Sequence, residues 1–94
     1  MKKLFFVLTC SLLSVAMMAS VTVRGVVIST EDGLPVIGAS ILEKGTSNGT
    51  ITDFDGMYEL TVQDGATLVV SYVGLTTQEL PVTEPHMDVR LSGD

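Results

Sequence analysis

Residues 33–60, GLPVIGASILEKGTSNGTITDFDGMYEL, decide the fold of this chain. The run alternates short apolar–polar segments with tight turns: Gly33 followed by Pro35, then Asn48-Gly49, then Asp53 to Gly56. Glycine takes the positive φ that such turns need, and Asn-Gly is the strongest short hairpin signal. No side chain in the run is placed for covalent chemistry. The stretch therefore predicts a small β-sandwich that contacts or supports something else.

The segments on either side alternate in the same way. A period of two with one apolar face is typical of half-buried antiparallel strands, and turn signals every 8–12 residues or so indicate a sandwich or small barrel. The uncharged segment 67–75, TLVVSYVGL, has high β-propensity, and we expect it at the centre of a sheet. The predicted core positions are Val21, Val23, Gly25, Val27, Ala39, Ile41, Tyr58, Leu60, Val62, Leu68, Val70, Tyr72, Met87, Val89 and Leu91.

The N-terminus has the three parts of a secretory signal peptide. Lys2 and Lys3 precede an apolar stretch over 4–15, and small residues follow it. A membrane span needs about 20 apolar residues, more than this stretch supplies, so an uncleaved anchor is the weaker alternative. We predict a signal peptide over 1–19 and one domain over 20–94. Cleavage after Ala16 rather than Ala19 is the other option.

Cleavage leaves an acidic domain without cysteine. Three of the five basic residues remain against eleven acidic ones, a net charge of −8. Such a domain repels nucleic acid and anionic lipid, so we expect neither as a partner and no membrane insertion. Cys10 lies within the apolar stretch, where a lipid attachment site is not expected. Without it the domain has no disulfide and no cysteine-based metal site.

Asp53 and Asp55 are weak candidates for a metal site. A calcium loop has oxygen ligands at alternate positions before its glycine and a glutamate six residues after it. If Gly56 is that glycine, Ile51 and Val62 occupy the first and last ligand positions, and both are apolar. A hairpin turn is the favoured interpretation, with a weak cation site as the alternative. We expect no metal and no cofactor.

Catalytic residues are not apparent either. The single histidine, His86, lies in a predicted surface connection before the last strand. The serines have no nucleophile elbow around them, and the carboxylates fall on turns or outward strand positions where nothing raises a pKa toward that of a general acid. We therefore predict that the protein is not an enzyme.

Aromatic residues are the remaining contact candidates, because β-sandwiches stack sugars on exposed rings. Tyr58 and Tyr72 fall on apolar strand faces and are expected in the core, each with its hydroxyl at an edge. Phe54, at the tip of a turn, is expected to cover the core. If it is exposed instead, it is the best contact candidate on the domain.

Four blocks of sequence together resemble a known family. They are V-x-V-R-G-V-V (21–27), GLPVIGASILEKGT (33–46), NGTITDFDGMYEL (48–60) and GATLVVSYVGLTTQELPV (65–82). The chain resembles the carboxypeptidase-regulatory-like domain at the N-terminus of SusC/RagA-type TonB-dependent outer-membrane transporters of Bacteroidetes. The resemblance implies a seven-stranded, transthyretin-like sandwich in the periplasm, at the inner side of the outer membrane.

The same resemblance implies a role in nutrient uptake. In that family the transporter imports glycans or peptides, driven by TonB, so the implied partners are a TonB-dependent barrel and a TonB-family protein. We expect this chain to be the accessory module without the TonB-engaging segment, plug or barrel, whether as a truncated gene, a fragment or a free-standing protein. The family offers no catalytic or ligand residue to assign. A free-standing periplasmic sandwich that binds carbohydrate is the alternative.

Overall fold

Seven strands form two sheets in a computed structural model that describes residues 19–93. The predicted signal peptide, with Cys10, lies outside the described residues except for Ala19. Among residues 19–93 there is no helix of the length and apolarity needed to cross a membrane. The strands are β1 (Ser20–Ser29), β2 (Ser40–Glu43), β3 (Gly49–Ile51), β4 (Met57–Gln63), β5 (Thr67–Ser71), β6 (Gln78–Pro81) and β7 (Val89–Leu91).

The two sheets have the orders β4-β1-β7 and β3-β2-β5-β6. The long strand β1 serves two neighbours: residues 20–26 pair antiparallel with β4, and residues 27–29 pair parallel with β7. All other strand pairs are antiparallel. The predicted all-β, seven-stranded sandwich is confirmed. Strand β5 lies between β2 and β6, so the central placement expected for 67–75 is right for its strand portion.

The core lies between the sheets and follows the predicted alternation. Met87 and Val21 are partly buried and pack against it. Tyr72 was expected in the core and is 41% exposed, so that expectation is wrong. The reason is that β5 ends at Ser71 and the chain turns before Tyr72 can continue the buried face. The buried apolar residues are Val23, Val27, Val36, Ala39, Ile41, Tyr58, Leu60, Val62, Leu68, Val70, Val89 and Leu91.

The β2–β3 connection is the predicted hairpin, but its Asn-Gly pair does not form the turn. Gly45 takes the positive φ, 81°, whereas Gly49 already belongs to β3. Asn48 instead uses its side-chain amide, which donates to Glu43 Oε1 at 3.0 Å and to the Thr61 carbonyl at 2.7 Å. These bonds join β2 to β4, strands of different sheets. The side chain of Asn48 therefore links the two sheets of the sandwich.

The segment before β7 packs directly onto β1. The Arg24 N–H donates to the Pro85 carbonyl at 2.9 Å, and the Met87 N–H donates to the Arg24 carbonyl at 2.9 Å. A Cβ at Gly25 would overlap the Met87 carbonyl oxygen. Gly25 is therefore required for this close approach of two backbones rather than for a turn.

Candidate interaction surfaces

Phe54 lies at the tip of the β3–β4 connection and is 88% exposed. The expectation that it covers the core is therefore wrong. The connection reverses the chain between strands of different sheets, and its hydrogen bonds hold residues 53–57 so that the ring points to solvent. That the exposed ring makes a contact stays a prediction.

Asp53 organises this reversal. Its Oδ1 accepts hydrogen bonds from the N–H groups of Asp55 and Met57, both at 2.9 Å. Its backbone N–H donates to the Met57 carbonyl at 3.0 Å, and its carbonyl accepts from the Gly56 N–H at 2.9 Å. The predicted turn is thus formed, although it joins two sheets instead of closing a hairpin. No group of three His, Cys, Asp or Glu side chains comes together within residues 19–93, and a weak cation site at Asp53 and Asp55 stays a prediction.

His86 is exposed on the surface connection before β7, as predicted. Its Nε2 lies 3.1 Å from Asp88 Oδ1, and that same oxygen accepts a hydrogen bond from the Val26 N–H at 3.1 Å. Both side chains are largely exposed. Asp88 therefore anchors the segment before β7 to β1, and His86 accompanies it at the surface.

One carboxylate departs from the expected outward placement. Glu43 is 8% exposed, and its two oxygens accept from the Asn48 amide and, at 3.2 Å, from the Gln63 N–H. The sequence carries a signal for this burial, because Ala39, Ile41 and Glu43 alternate on the same inward face. Glu43 ties the end of β2 to the end of β4 and so belongs to the framework of the sandwich.

Tyr58 is in the core as predicted, 4% exposed, with its hydroxyl at the sheet edge. The hydroxyl donates to the Met87 carbonyl at 2.5 Å. Burial of the ring, and secondarily the negative charge of Asp88, raise the pKa of Tyr58 to about 12. Because the phenol stays protonated and donates to a backbone carbonyl, its role is to hold the segment before β7.

Two turns meet at one end of the sandwich and each presents an aliphatic side chain at its tip. In the first, Ile37 precedes Gly38, whose φ is 78°. In the second, Val73 precedes Gly74, whose φ is 82°, and the Leu75 N–H donates to the Tyr72 carbonyl at 3.1 Å. This arrangement places Ile37 and Val73 where β-turns usually carry proline or polar residues.

Thr52 holds the first of these turns from inside. It is 3% exposed, and its hydroxyl donates to the Val36 carbonyl at 2.5 Å and accepts from the Ala39 N–H at 2.8 Å. The Val36 carbonyl and the Ala39 N–H, at the two ends of the turn, both bond to the hydroxyl of Thr52, which directly follows β3. The turn that carries Ile37 is therefore fixed by buried hydrogen bonds.

An open groove of about 380 Å³ lies between the two turns. Its lining includes the exposed apolar side chains of both turns and the acidic reversal after β1. We call it the end groove and define it by six residues: Glu31, Asp32, Leu34, Ile37, Tyr72 and Val73. This site was not predicted from the sequence, because Tyr72 was expected in the core and no aliphatic turn residue was expected to make a contact.

Comparison with known proteins finds similarity to one domain family and to several receptors. Residues 23–91 match the CarboxypepD_reg-like domain family. The chain is 50% identical over 74 residues to the TonB-dependent receptor SusC of Bacteroides thetaiotaomicron, covering 79% of this chain and 7% of that protein. It is 53% identical over 53 residues to the TonB-dependent receptor P39 of Formosa agariphila, covering 55% of this chain and 5% of that protein. The chain thus spans less than a tenth of the length of these relatives.

A solved structure shares the fold. A chain of a type II cohesin–X-dockerin complex from Acetivibrio cellulolyticus superposes with a TM-score of 0.54 and 22% identity, over 77% of this chain and 51% of that chain. At this identity the similarity concerns the β-sandwich alone.

Proposed function

The chain belongs to the CarboxypepD_reg-like domain family, and from that premise we propose that it is a non-catalytic interaction domain of a TonB-dependent outer-membrane uptake system. The observation that carries the proposal is the exposure of large apolar side chains that line one groove: Val73 is 90% exposed, Leu34 60% and Ile37 50%. Exposed apolar residues that lie together mark contact sites on soluble domains. A domain related to receptor modules, with such a surface, is suited to binding another protein.

The roles of the titratable side chains support a non-catalytic domain. Asp53 is used in a turn, Glu43 links two sheets, and Tyr58 donates to a backbone carbonyl. Each of these groups stabilises the fold through bonds to the backbone. Catalysis needs acids and bases whose hydrogen-bonding capacity is directed at a substrate.

Recovery of partners from the cell envelope tests the proposal. The tagged chain, expressed in its native host, is crosslinked mildly and purified from the envelope fraction. We expect a TonB-dependent barrel, a TonB-family protein or a partner periplasmic domain to co-purify. An exported acidic sandwich of another family is the control. Recovery of none of these proteins, or equal recovery with the control, contradicts the proposal.

We further propose export to the periplasm, with a signal peptide over 1–19 and the domain over 20–94. The Ala19 carbonyl accepts a hydrogen bond from the Asp64 N–H at 3.1 Å, so cleavage after Ala16 would retain this bond and cleavage after Ala19 would remove it. Intact-mass measurement of the chain from a periplasmic extract distinguishes the two sites. A full-length chain in the cytoplasm contradicts export.

Carbohydrate binding is the second candidate, and the exposure of Phe54 and Tyr72 favours it because sugars stack on exposed rings. A glycan array followed by calorimetry tests it. Binding that Phe54→Ala weakens supports a sugar site at the β3–β4 turn. A flat response across the array rules the candidate out.

A further inference from the structure

We propose that the end groove docks a positively charged peptide segment of a protein partner, with aliphatic side chains of that segment anchored on Ile37, Tyr72 and Val73. The inference rests on the proposed function and deepens it, because it names the surface and the chemistry of what that surface binds.

The apolar anchors are held in place before any partner arrives. Val73 stands at the tip of a turn closed by the hydrogen bond from Leu75 to Tyr72, and Ile37 stands on the turn that Thr52 bonds from inside. Anchors that are already fixed lose little conformational entropy on binding. Val73 is 90% exposed and Ile37 50%, so much of their apolar surface remains in water and is available for a contact.

The rim of the groove is acidic and uncompensated. Glu31 and Asp32 lie in the reversal that begins with Thr30 after β1, and neither forms an ion pair among residues 19–93. Asp32 Oδ1 accepts the Leu34 N–H at 2.9 Å, which fixes this carboxylate beside the apolar lining. Within the described part of the chain, residues 19–93, no lysine or arginine lines the groove. Charge complementarity therefore calls for cationic side chains next to the apolar anchors of the partner.

The same charges disfavour the other occupants of an apolar groove. A second copy of this chain would bring its own Glu31 and Asp32 to the interface, and like charges brought together there oppose association. An anionic lipid surface is repelled by a domain of net charge −8. A basic, apolar polypeptide segment satisfies both the lining and the rim.

Nuclear magnetic resonance with model peptides tests the chemistry of the groove. The probes are three acetylated octapeptide amides: alternating Leu-Lys, alternating Ser-Lys and alternating Leu-Glu. We expect the Leu-Lys peptide to shift the amide resonances of Leu34, Ile37 and Val73 most. The Ser-Lys and Leu-Glu peptides should bind at least about ten-fold more weakly. Equal binding of the Ser-Lys peptide, or shifts centred elsewhere, overturns the proposal.

Paired variants locate the site without changing the charge of the domain. Ile37→Ser with Val73→Ser removes two exposed anchors and should weaken Leu-Lys binding about ten-fold. Ile51→Ser with Met57→Ser removes two exposed apolar side chains that do not line the groove, and should leave the affinity unchanged. Equal effects of the two double variants contradict the assignment.

The acidic rim has its own test. Glu31→Gln with Asp32→Asn removes both charges, and the asparagine oxygen still accepts the Leu34 N–H. The affinity should fall about five-fold at low salt and should lose most of its salt dependence. An unchanged affinity and salt dependence contradicts the role of the rim.

The envelope experiment separates this inference from the function beneath it. If the unmodified chain recovers an uptake-system partner and the Ile37→Ser, Val73→Ser variant does not, the groove is the docking site. If both recover that partner equally, the inference is wrong and the proposed function stands. If the unmodified chain recovers none, the proposed function itself fails.

Discussion

Replacing Thr52 with valine should destabilise the domain by about 3 kcal/mol. The substitution keeps the shape of the side chain and removes only its hydroxyl. That hydroxyl serves two backbone groups at once, the Val36 carbonyl and the Ala39 N–H. Thr52, Val36 and Ala39 are all buried, so water does not replace the lost bonds.

The magnitude follows from the two orphaned groups. Each buried, unpaired backbone group costs about 1–3 kcal/mol. The added methyl group returns about 0.8 kcal/mol through burial. A domain of this size has a free energy of unfolding of roughly 4–11 kcal/mol. The loss is therefore a large fraction of the whole, although it arises from one oxygen atom.

Urea unfolding at 25 °C, followed by circular dichroism, measures the effect. The midpoint should fall and the slope of free energy against urea should stay the same. Thr52→Ser keeps the hydroxyl and should cost only about 1 kcal/mol for the lost methyl group. Thr50→Val is the matched control: Thr50 lies on β3, is half-buried, and makes no side-chain hydrogen bond among the described residues, so its change should stay within about 0.5 kcal/mol. A Thr52→Val loss no larger than that of Thr50→Val would refute the reasoning.

Three further predictions concern the framework of the sandwich. Gly25→Ala should destabilise the domain by about 3 kcal/mol or more, because the new Cβ overlaps the Met87 carbonyl oxygen. An unchanged midpoint in urea unfolding would contradict this close approach of the two backbones. Folding raises the pKa of Tyr58 from its ordinary value of 10.0 to about 12. The contribution of this group to the free energy of unfolding is therefore complete below pH 10 and should be lost as the pH rises to about 12. The tyrosinate absorbance of the unmodified chain minus that of Tyr58→Phe reports the ionisation of Tyr58, and a Tyr58→Phe variant that kept the same pH dependence of stability would contradict the assignment. Glu43→Gln places an amide nitrogen against one of the two N–H groups that now donate to the carboxylate. The free energy of unfolding should therefore fall by about 1–3 kcal/mol, and amide exchange at the end of β4 should become faster. An unchanged exchange rate there would contradict the link between the sheets.

The buried faces of the strands were predictable because alternation alone decides them. Leu68 and Val70, or Tyr58 and Leu60, point inward wherever their strand is placed in the sandwich. Glu43 was expected to face outward, although it continues the same alternation, and its burial depends on the Gln63 N–H, which is distant in sequence. A period of two identifies the face, and only the fold supplies the partner.

The ends of strands and the tips of turns were not predictable in this way. Tyr72 continues the alternation of β5, yet the strand ends one residue earlier and the ring reaches the surface. Phe54 and Val73 lie on turns, where side-chain direction depends on the turn geometry and on what packs beneath it. The end groove needs two such turns side by side, 36–39 and 72–75, and no local pattern places them together.

Site-specific photo-crosslinking in the native host tests the central claim, that this domain is an interaction module of an outer-membrane uptake system, most directly. A benzophenone amino acid is introduced at Val73, in the end groove, or at Glu59, which is exposed on the other sheet. We predict that position 73, and not position 59, yields an adduct with a TonB-dependent barrel or a TonB-family protein, identified by mass spectrometry. Equal labelling of such a protein from both positions would contradict the end groove as its contact site, and no adduct with an uptake-system protein from either position would contradict the central claim.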